Sequence, residues 1–282
     1  MDNLFKYPYF SKQIDFIDLS VSVSEIKKNG LPVVFIHGFS GSKEDFTFLF
    51  SKLSKEGFHP IAYDQRGHGQ TKFVNNKTIC SLNKLRDDLL KLLEILNIES
   101  CVSIGHSMGG IVLQEAIIKE PSKFRAAVFV DTHYGSLNIN EDIIEIIDKI
   151  LKEKGLEELF NIASNLGMFN DTAIKDKDDN FKKQYFNFSK QKFINTHPKI
   201  FVPVARDLSQ RPSRLTELSK LDIKCLAIAG ENDEPFFDPT KNIADTMRTC
   251  VFVPIRNAGH LPQFENSEMF YEVLLDFLKT ID

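Results

Sequence analysis

Short, continuous apolar runs alternate with amphipathic stretches along most of the chain. The runs are typical of strands that are buried on both faces of a sheet. They occur at residues 31–36, 59–63, 101–104, 126–131, 224–229 and 250–255. Stretches with a 3.6-residue apolar period separate most of them, as at about 78–97. The alternation predicts a parallel sheet whose strands are joined by right-handed helical crossovers.

The first residues follow a different pattern. Residues 5–28 carry aromatic and alternating apolar positions, for example at 16–23. Such alternation indicates two antiparallel strands at a sheet edge. The turn signal Asn29-Gly30 then precedes the first continuous apolar run.

The strand and helix alternation stops between about Thr132 and Leu221. Helical periodicity persists there, but no buried-strand pattern occurs over roughly 90 residues. The polar run at 175–179 is interpreted as a solvated loop or a helix start. Alternation then resumes, with a helix predicted near 239–247 and another closing the chain. We therefore predict a core formed by 1–131 and 222–282, interrupted by a helical cap over 132–221.

Composition narrows the classes of function. The net charge of −4, with acidic and basic residues interspersed, predicts no nucleic-acid partner. The apolar runs are too short for a membrane span, and the first residues lack the apolar core of a signal peptide, so a cytoplasmic location is expected. Four cysteines without C-x-x-C spacing argue against a structural zinc site or a disulfide framework, and for a reducing compartment.

The strongest chemical signal is the segment Gly105-His106-Ser107-Met108-Gly109, which follows an apolar strand and precedes an apolar helix. A serine at the apex of such a junction has strained dihedrals, and the flanking glycines avoid a clash within the turn. Its hydroxyl then lies at a helix N-terminus, where main-chain N–H groups can stabilise an oxyanion. We predict a nucleophilic Ser107; the competing interpretation is a turn serine without chemistry.

A serine nucleophile needs a base, and the base needs an anion that orients it. His260 is the predicted base because it follows the last strand, at the edge where the carboxyl ends of parallel strands meet. Asp233 follows the preceding strand and is the predicted acid, with Asp131 as the alternative. Asp64 is instead interpreted as a partner for Arg66 or for nearby backbone N–H groups.

Two main-chain N–H groups are predicted to form an oxyanion hole. Met108 directly follows the nucleophile, and Phe39 follows His37-Gly38 after a strand. His37 is expected to brace that loop and is also a candidate substrate contact. His68 and His106 are expected to tie loops together. No pattern supports chemistry at the remaining histidines, which are His59, His133 and His197.

Taken together, these motifs resemble the landmarks of the α/β-hydrolase superfamily, in its branch with a helical cap. The matching segments are His37-Gly38-Phe39, Asp64-Gln65-Arg66-Gly67-His68-Gly69, Gly105-His106-Ser107-Met108-Gly109-Gly110, Gly230-Glu231-Asn232-Asp233 and Gly259-His260. The resemblance covers nearly the whole chain. It implies an α/β-hydrolase fold with a mostly parallel eight-stranded sheet, helices on both faces and a helical cap inserted after strand 6. It also implies a catalytic triad of Ser107, Asp233 and His260, in that order along the chain.

The superfamily includes esterases, lactonases, carbon-carbon bond hydrolases, a menaquinone-pathway synthase and non-catalytic receptors. Ser107 argues against the dehalogenase and epoxide hydrolase branches, which place an aspartate at that apex. Our first expectation is a serine carboxylesterase or lactonase that forms an acyl-enzyme on Ser107 with a small to medium, mostly apolar substrate. This small-molecule chemistry needs no cofactor and no metal. The cap aromatics that are candidates for the pocket, or merely for holding the cap on the core, are Phe160, Phe169, Phe186, Phe188 and Phe193.

The second expectation is carbon-carbon bond cleavage in a vinylogous diketone acid, or the related synthase reaction. Such substrates carry carboxylates that need cationic partners. Arg206, Arg211 and Arg214 lie where the cap returns to the core, and Arg206 is retained as a substrate-binding candidate. Surface ion pairing is the competing interpretation for these arginines. A receptor with an unused triad is the third possibility, and the sequence leaves both a monomer and a homodimer open.

Overall fold

The computed structural model describes residues 11–74, 80–166 and 177–281. Its centre is a mixed, mostly parallel sheet with a continuous path of eight strands. In chain order these are β1 (Ser11–Asp15), β2 (Leu19–Glu25), β3 (Pro32–Ile36), β4 (His59–Tyr63), β5 (Cys101–His106), β6 (Phe124–Val130), β7 (Lys224–Gly230) and β8 (Cys250–Ile255).

The strands lie in the order β1-β2-β4-β3-β5-β6-β7-β8, and a two-residue strand, Lys72–Phe73, pairs with β2 outside this path. Only the pairings that involve β2 are antiparallel among those described, and β3 to β8 run parallel to one another. The predicted eight-stranded sheet, with an antiparallel edge, is confirmed. Because β3 to β8 are parallel, their carboxyl ends meet at one edge, which positions the site described below.

The described helices, in chain order, are α1 (Glu44–Thr47), α2 (Phe50–Lys55), α3 (Leu82–Ile95), α4 (Met108–Lys119), α5 (Glu141–Glu153), α6 (Gly155–Asn165), α7 (Asp179–Ile194), α8 (Phe201–Gln210), α9 (Leu215–Leu218), α10 (Glu234–Thr246), α11 (Pro262–Glu265) and α12 (Ser267–Leu278). Two short 3₁₀ turns lie at Pro121–Lys123 and Pro198–Ile200. None of the helices within the described ranges is both long and apolar enough to cross a bilayer.

Strand β3 shows how the sheet is covered on both faces. Its side chains alternate in direction, as in any strand. Val34 and Ile36 join an apolar cluster that includes residues of α3 and α4. Val33 and Phe35 join a second cluster, on the opposite face, that includes residues of α1, α2 and α12. Every one of these β3 side chains is fully buried, which explains the continuous apolar run in the sequence.

A helical insertion follows β6, as predicted. Between β6 and β7 the described residues include helices α5 to α9 and no strand. The insertion packs on the core through an aromatic contact, because Phe201 of α8 lies edge-on to Phe39 with centroids 4.9 Å apart. Within the insertion, Phe193 of α7 packs on Phe201 with centroids 5.3 Å apart. The exact division at residues 131/132 and 221/222 remains a prediction.

Several element boundaries differ from the sequence-based expectation. The helix expected near 239–247 begins earlier, at Glu234, because Pro235 is compatible with a first helical turn, and the second proline, Pro239, is accommodated inside the helix. The helix expected from about 78 begins at Leu82, where the Ser81 hydroxyl accepts from the N–H of Lys84; residue 78 itself is outside the described ranges. At the polar run, Asp178 caps α7, which confirms a helix start there.

Candidate active site

Ser107 forms the sharp turn between β5 and α4. Its dihedrals, φ 52° and ψ −121°, are strained for a residue with a Cβ. The turn is held from both sides, because the Ser107 N–H donates to the carbonyl of Val130 at 2.9 Å and the Thr132 hydroxyl donates to the carbonyl of Ser107 at 2.7 Å. The neighbouring strand thus supports the strained turn at the carboxyl edge of the sheet.

Two glycines make this turn possible. A Cβ on Gly105 would lie 2.5 Å from the carbonyl oxygen of Gly109, and a Cβ on Gly109 would lie 2.1 Å from that of Ile36. Both distances are far below van der Waals contact, and in each case the obstacle is backbone. The spacing of the two glycines in the sequence therefore follows from close backbone approach around Ser107.

His260 and Asp233 meet in the loops that follow β8 and β7. The Nδ1–H of His260 donates to Oδ2 of Asp233 at 2.8 Å. A carboxylate in this position selects the tautomer with Nε2 available as a base and stabilises the imidazolium form. The loops approach closely because Gly230 lacks a side chain: a Cβ there would lie 2.1 Å from the carbonyl oxygen of Gly259.

A cavity of about 120 Å³ brings these residues together. It is lined by Gly38, Phe39, Ser40, Gly41, Asp45, His106, Ser107, Tyr185, Ser189, Lys192, His260 and Leu261. Ser107 and His260 thus face one space, together with the loop that carries Phe39, while Asp233 lies behind His260. A larger open depression of about 400 Å³ lies between the ends of α3 and α4, near the amino edge of the sheet and away from Ser107.

His106, directly before Ser107, fastens the loop that carries the predicted base. Its Nε2–H donates to the carbonyl of His260 at 2.7 Å, and the two rings are 4.8 Å apart. Burial holds the pKa of His106 well below its usual value, so the ring is neutral. Glu265 stabilises the same loop, because its buried carboxylate accepts hydrogen bonds from the N–H groups of Gly259 and Leu261. Glu265 carried no distinguishing signal in the sequence.

His37 holds the loop that contains Phe39. Its Nδ1–H donates to the carbonyl of Gly38 at 2.7 Å, and its Nε2 accepts from the N–H of Gln65 at 3.0 Å. Burial lowers the pKa of His37, which keeps it neutral in this double role. The ring is fully buried and is not among the residues that line the cavity. The position of His37 therefore fits the predicted bracing role and does not fit the predicted substrate contact.

Asp131, the alternative acid, lies beneath the site without reaching a histidine. Its Oδ1 accepts from the N–H of Gly230 at 2.9 Å, and its carboxyl lies within hydrogen-bonding reach of the Asp233 carboxyl. Burial, and then the charge of Asp233, raise the pKa of Asp131 well above its usual value. A neutral, buried carboxyl cannot stabilise an imidazolium as an anion does.

The protonated state of Asp131 can be tested through stability. Because its folded-state pKa is raised above the ordinary 3.8, the folded protein retains a proton that the unfolded chain releases, and wild-type stability falls as pH rises through that window. Asp131→Asn keeps an acceptor for Gly230 but does not titrate. We expect the Tm of this variant relative to wild type to rise as the pH increases above about 4, where the unfolded chain releases the proton that folded wild type retains. A Tm difference that is independent of pH would contradict a protonated Asp131.

The described cap phenylalanines that were predicted as pocket candidates do not line the cavity. Phe160 is fully buried against the rings of Phe186 and Phe193, and Phe188 packs on Phe264. Phe169 is outside the described ranges. Large apolar rings here join the cap to itself and to the core, where burial stabilises them most.

None of the three predicted arginines lines the cavity among the described residues. Arg206 lies half-exposed on the cap, paired with Glu141 at 2.6 Å. Arg211 and Arg214 both contact Glu115 of α4, at 3.0 and 2.9 Å. The cation that does line the cavity is Lys192, whose ammonium pairs with the carboxylate of Asp45.

Sequence reasoning missed the polar face of α7. Tyr185, Ser189 and Lys192 line the cavity from positions i, i+4 and i+7, which share one face of a helix. The spacing was readable in the sequence, but aromatic residues at neighbouring positions give α7 a second, competing face. Within the described ranges, His, Cys, Asp and Glu side chains form no group of three or more that could hold a metal ion.

The strand order, the helical insertion and the strained serine turn define the class of protein. A family model described as alpha/beta hydrolase fold matches residues 32–153. The chain has the α/β-hydrolase fold.

Individual relatives span most of the chain. One is a Bacillus subtilis protein provisionally named 2-succinyl-6-hydroxy-2,4-cyclohexadiene-1-carboxylate synthase, 25% identical over 260 residues, which cover 88% of this chain and 90% of that one. The 3-oxoadipate enol-lactonase 1 of Acinetobacter baylyi is 26% identical over 227 residues, covering 80% and 81%. A thermophilic esterase from Thermogutta terrifontis superposes with a TM-score of 0.82 at 20% identity, over 96% of this chain and 99% of that one.

Proposed function

We propose that this protein is a serine hydrolase that cleaves a carboxylic ester or lactone through an acyl-enzyme on Ser107. The observation that carries the proposal is the oriented pair of His260 and Asp233, with His260 and Ser107 facing one cavity. The pair supplies the base and the orienting anion that a serine hydroxyl requires. The similarity to an enol-lactonase and to an esterase is consistent with this chemistry.

In the proposed mechanism, the Ser107 oxygen attacks the substrate carbonyl while Nε2 of His260 takes the hydroxyl proton. Asp233 stabilises the resulting imidazolium, which then gives its proton to the leaving alcohol. Water, activated by the same imidazole, hydrolyses the acyl-enzyme. The acyl-enzyme mechanism requires no group beyond the substrate and water.

The negative charge that develops on the carbonyl oxygen would be met by two backbone N–H groups. Met108 is the first residue of α4, where N–H groups have no partner within the helix. Phe39 lies in the loop that His37 braces, and both the loop and Ser107 line the cavity. Donors held in place before the reaction are the most effective electrostatic catalysts.

A second candidate is the carbon-carbon bond or synthase reaction on a carboxylate-bearing keto-acid. The similarity to the Bacillus subtilis protein, over most of both chains, favours it. The positions of the arginines argue against this reaction, because Arg206, Arg211 and Arg214 are paired with acidic side chains away from the cavity lining. We therefore place ester or lactone hydrolysis first.

Covalent labelling tests the proposal directly. A fluorophosphonate probe is expected to label Ser107 in the folded protein and no other serine, because Ser107 combines the strained turn at the start of α4 with a place in the cavity that His260 lines; peptide mass spectrometry locates the adduct. Heat-denatured protein is the control and should remain unlabelled. In parallel, neutral esters and lactones are compared with dienoic keto-acids on one preparation. Much faster turnover of the keto-acids would replace the first candidate with the second.

A further inference from the structure

We infer that the buried pair of Lys192 and Asp45 makes the cavity selective for a substrate with a neutral, oxygen-bearing group, and against a carboxylate in the same position. The inference deepens the proposed function and rests on it. It replaces the mostly apolar pocket expected from the sequence with a polar one.

The pair joins the cap to the core at the cavity. Lys192 lies on α7, and Asp45 lies on α1, directly after the loop that carries Phe39. Both residues line the same cavity as Ser107 and His260. Their side chains are only 10% and 2% exposed, so water screens the pair little.

The wall around Lys192 offers hydrogen-bond donors. An ammonium group has three N–H donors, and Asp45 occupies one of them. The hydroxyl-bearing side chains of Ser189 and Tyr185 line the same wall from the same helix face. The Lys192 ammonium also lies 4.3 Å from the ring centroid of Phe188, which fixes its position by a cation–π contact. A carbonyl, ether or hydroxyl oxygen of a substrate is the group that such a wall recognises.

The charge balance disfavours an anionic substrate. Lys192 is neutralised by Asp45, and His106, which also lines the cavity, is neutral. Asp45 is not free to turn away, because its Oδ2 accepts from the N–H of Ser42 at 3.1 Å. A substrate carboxylate beside Lys192 would therefore lie close to a second, fixed carboxylate in a site with little water. Like charges in such a site are strongly unfavourable.

Three methyl esters of similar size test the inference: methyl butyrate, methyl 3-hydroxybutyrate and monomethyl succinate. A matched set varies the alcohol instead: propyl acetate, 2-hydroxypropyl acetate and acetoxyacetate. Hydrolysis is followed by pH-stat titration for wild type, Asp45→Asn, Lys192→Met and the double variant Lys192→Met/Asp45→Asn. The double variant removes both charges and so avoids leaving one buried and unpaired. Lys190→Met is the control, since Lys190 lies on the same helix but pairs with Glu157.

For wild type we expect kcat/KM for the hydroxylated ester to exceed that for the carboxylate ester by about tenfold or more, in one of the two sets. Asp45→Asn keeps an acceptor for the N–H of Ser42 but leaves the charge of Lys192 without its counter-ion. It should therefore raise kcat/KM for the carboxylate ester by about tenfold relative to kcat/KM for the hydroxylated ester. Wild type should also hydrolyse the hydroxylated ester faster than the unsubstituted one, and the double variant should lose this preference. Lys190→Met should behave as wild type.

Two results would overturn the inference: wild-type turnover of the carboxylate ester equal to that of the hydroxylated ester in both sets, or ratios that Asp45→Asn leaves unchanged. The proposed function fails separately, because it predicts phosphonate labelling of Ser107 and hydrolysis of at least one neutral ester. A protein that labels and hydrolyses but does not discriminate retains the proposed function and loses this inference alone.

Discussion

Ser107→Ala is expected to reduce ester hydrolysis by on the order of 10⁶-fold while the protein remains folded. The change removes one oxygen, which the proposed mechanism uses as the nucleophile, and leaves the turn intact because alanine keeps the Cβ. The hydrogen bonds that support the turn are made by the backbone of residue 107, not by its hydroxyl. Turnover of a neutral ester, with circular dichroism and Tm as folding checks, measures the effect.

Ser103→Ala is the matched control for Ser107→Ala. Ser103 lies four residues earlier in β5 and is buried in the sheet, so its hydroxyl cannot reach the cavity. We expect this variant to retain hydrolysis. A folded Ser107→Ala protein with near-wild-type activity would exclude the acyl-enzyme. Absence of turnover by wild type, together with tight binding of a small ligand, would instead favour a receptor.

Asp233→Asn is expected to lower turnover by about 10⁴-fold. The Asp233 carboxylate accepts the Nδ1–H of His260 at 2.8 Å, and an amide in its place would favour the other tautomer, whose Nε2 carries the proton and cannot act as a base. Single-turnover kinetics with a chromogenic ester measure the acylation step, in which this loss should occur.

Asp131→Asn is the internal comparison for the predicted acid. Because the raised pKa keeps Asp131 neutral, replacing it by a neutral isostere should change turnover by less than about tenfold. A larger loss at Asp131 than at Asp233 would transfer the role of the acid to the end of β6. Equal losses would indicate that the two carboxyl groups act as a unit beneath His260.

The order of strands and helices, the turn at Ser107 and the loop of His260 could be predicted because they depend on local rules. Apolar runs specify buried strands, and the backbone contacts of Gly105 and Gly109 require glycine at fixed spacing from the serine. Parallel crossovers then bring the carboxyl ends of β5, β7 and β8 to one edge without further information. The sequence alone thus determined the fold class and the set of candidates for nucleophile, base and acid.

Tertiary structure decided which candidates meet and what lines the cavity. Asp131 and Asp233 each follow a strand, and only the relative position of the β7 and β8 loops places Asp233, rather than Asp131, against His260. Arg211 pairs with Glu115 on α4, which lies 96 residues away in the sequence, and no local pattern encodes this pairing. Helix α7 likewise has an aromatic face and a polar face. The aromatic face packs on the core because burial of its rings is stabilising, and the polar face with Lys192 therefore lines the cavity. Local periodicity specifies that a helix has two faces, whereas the face that meets the substrate depends on long-range packing.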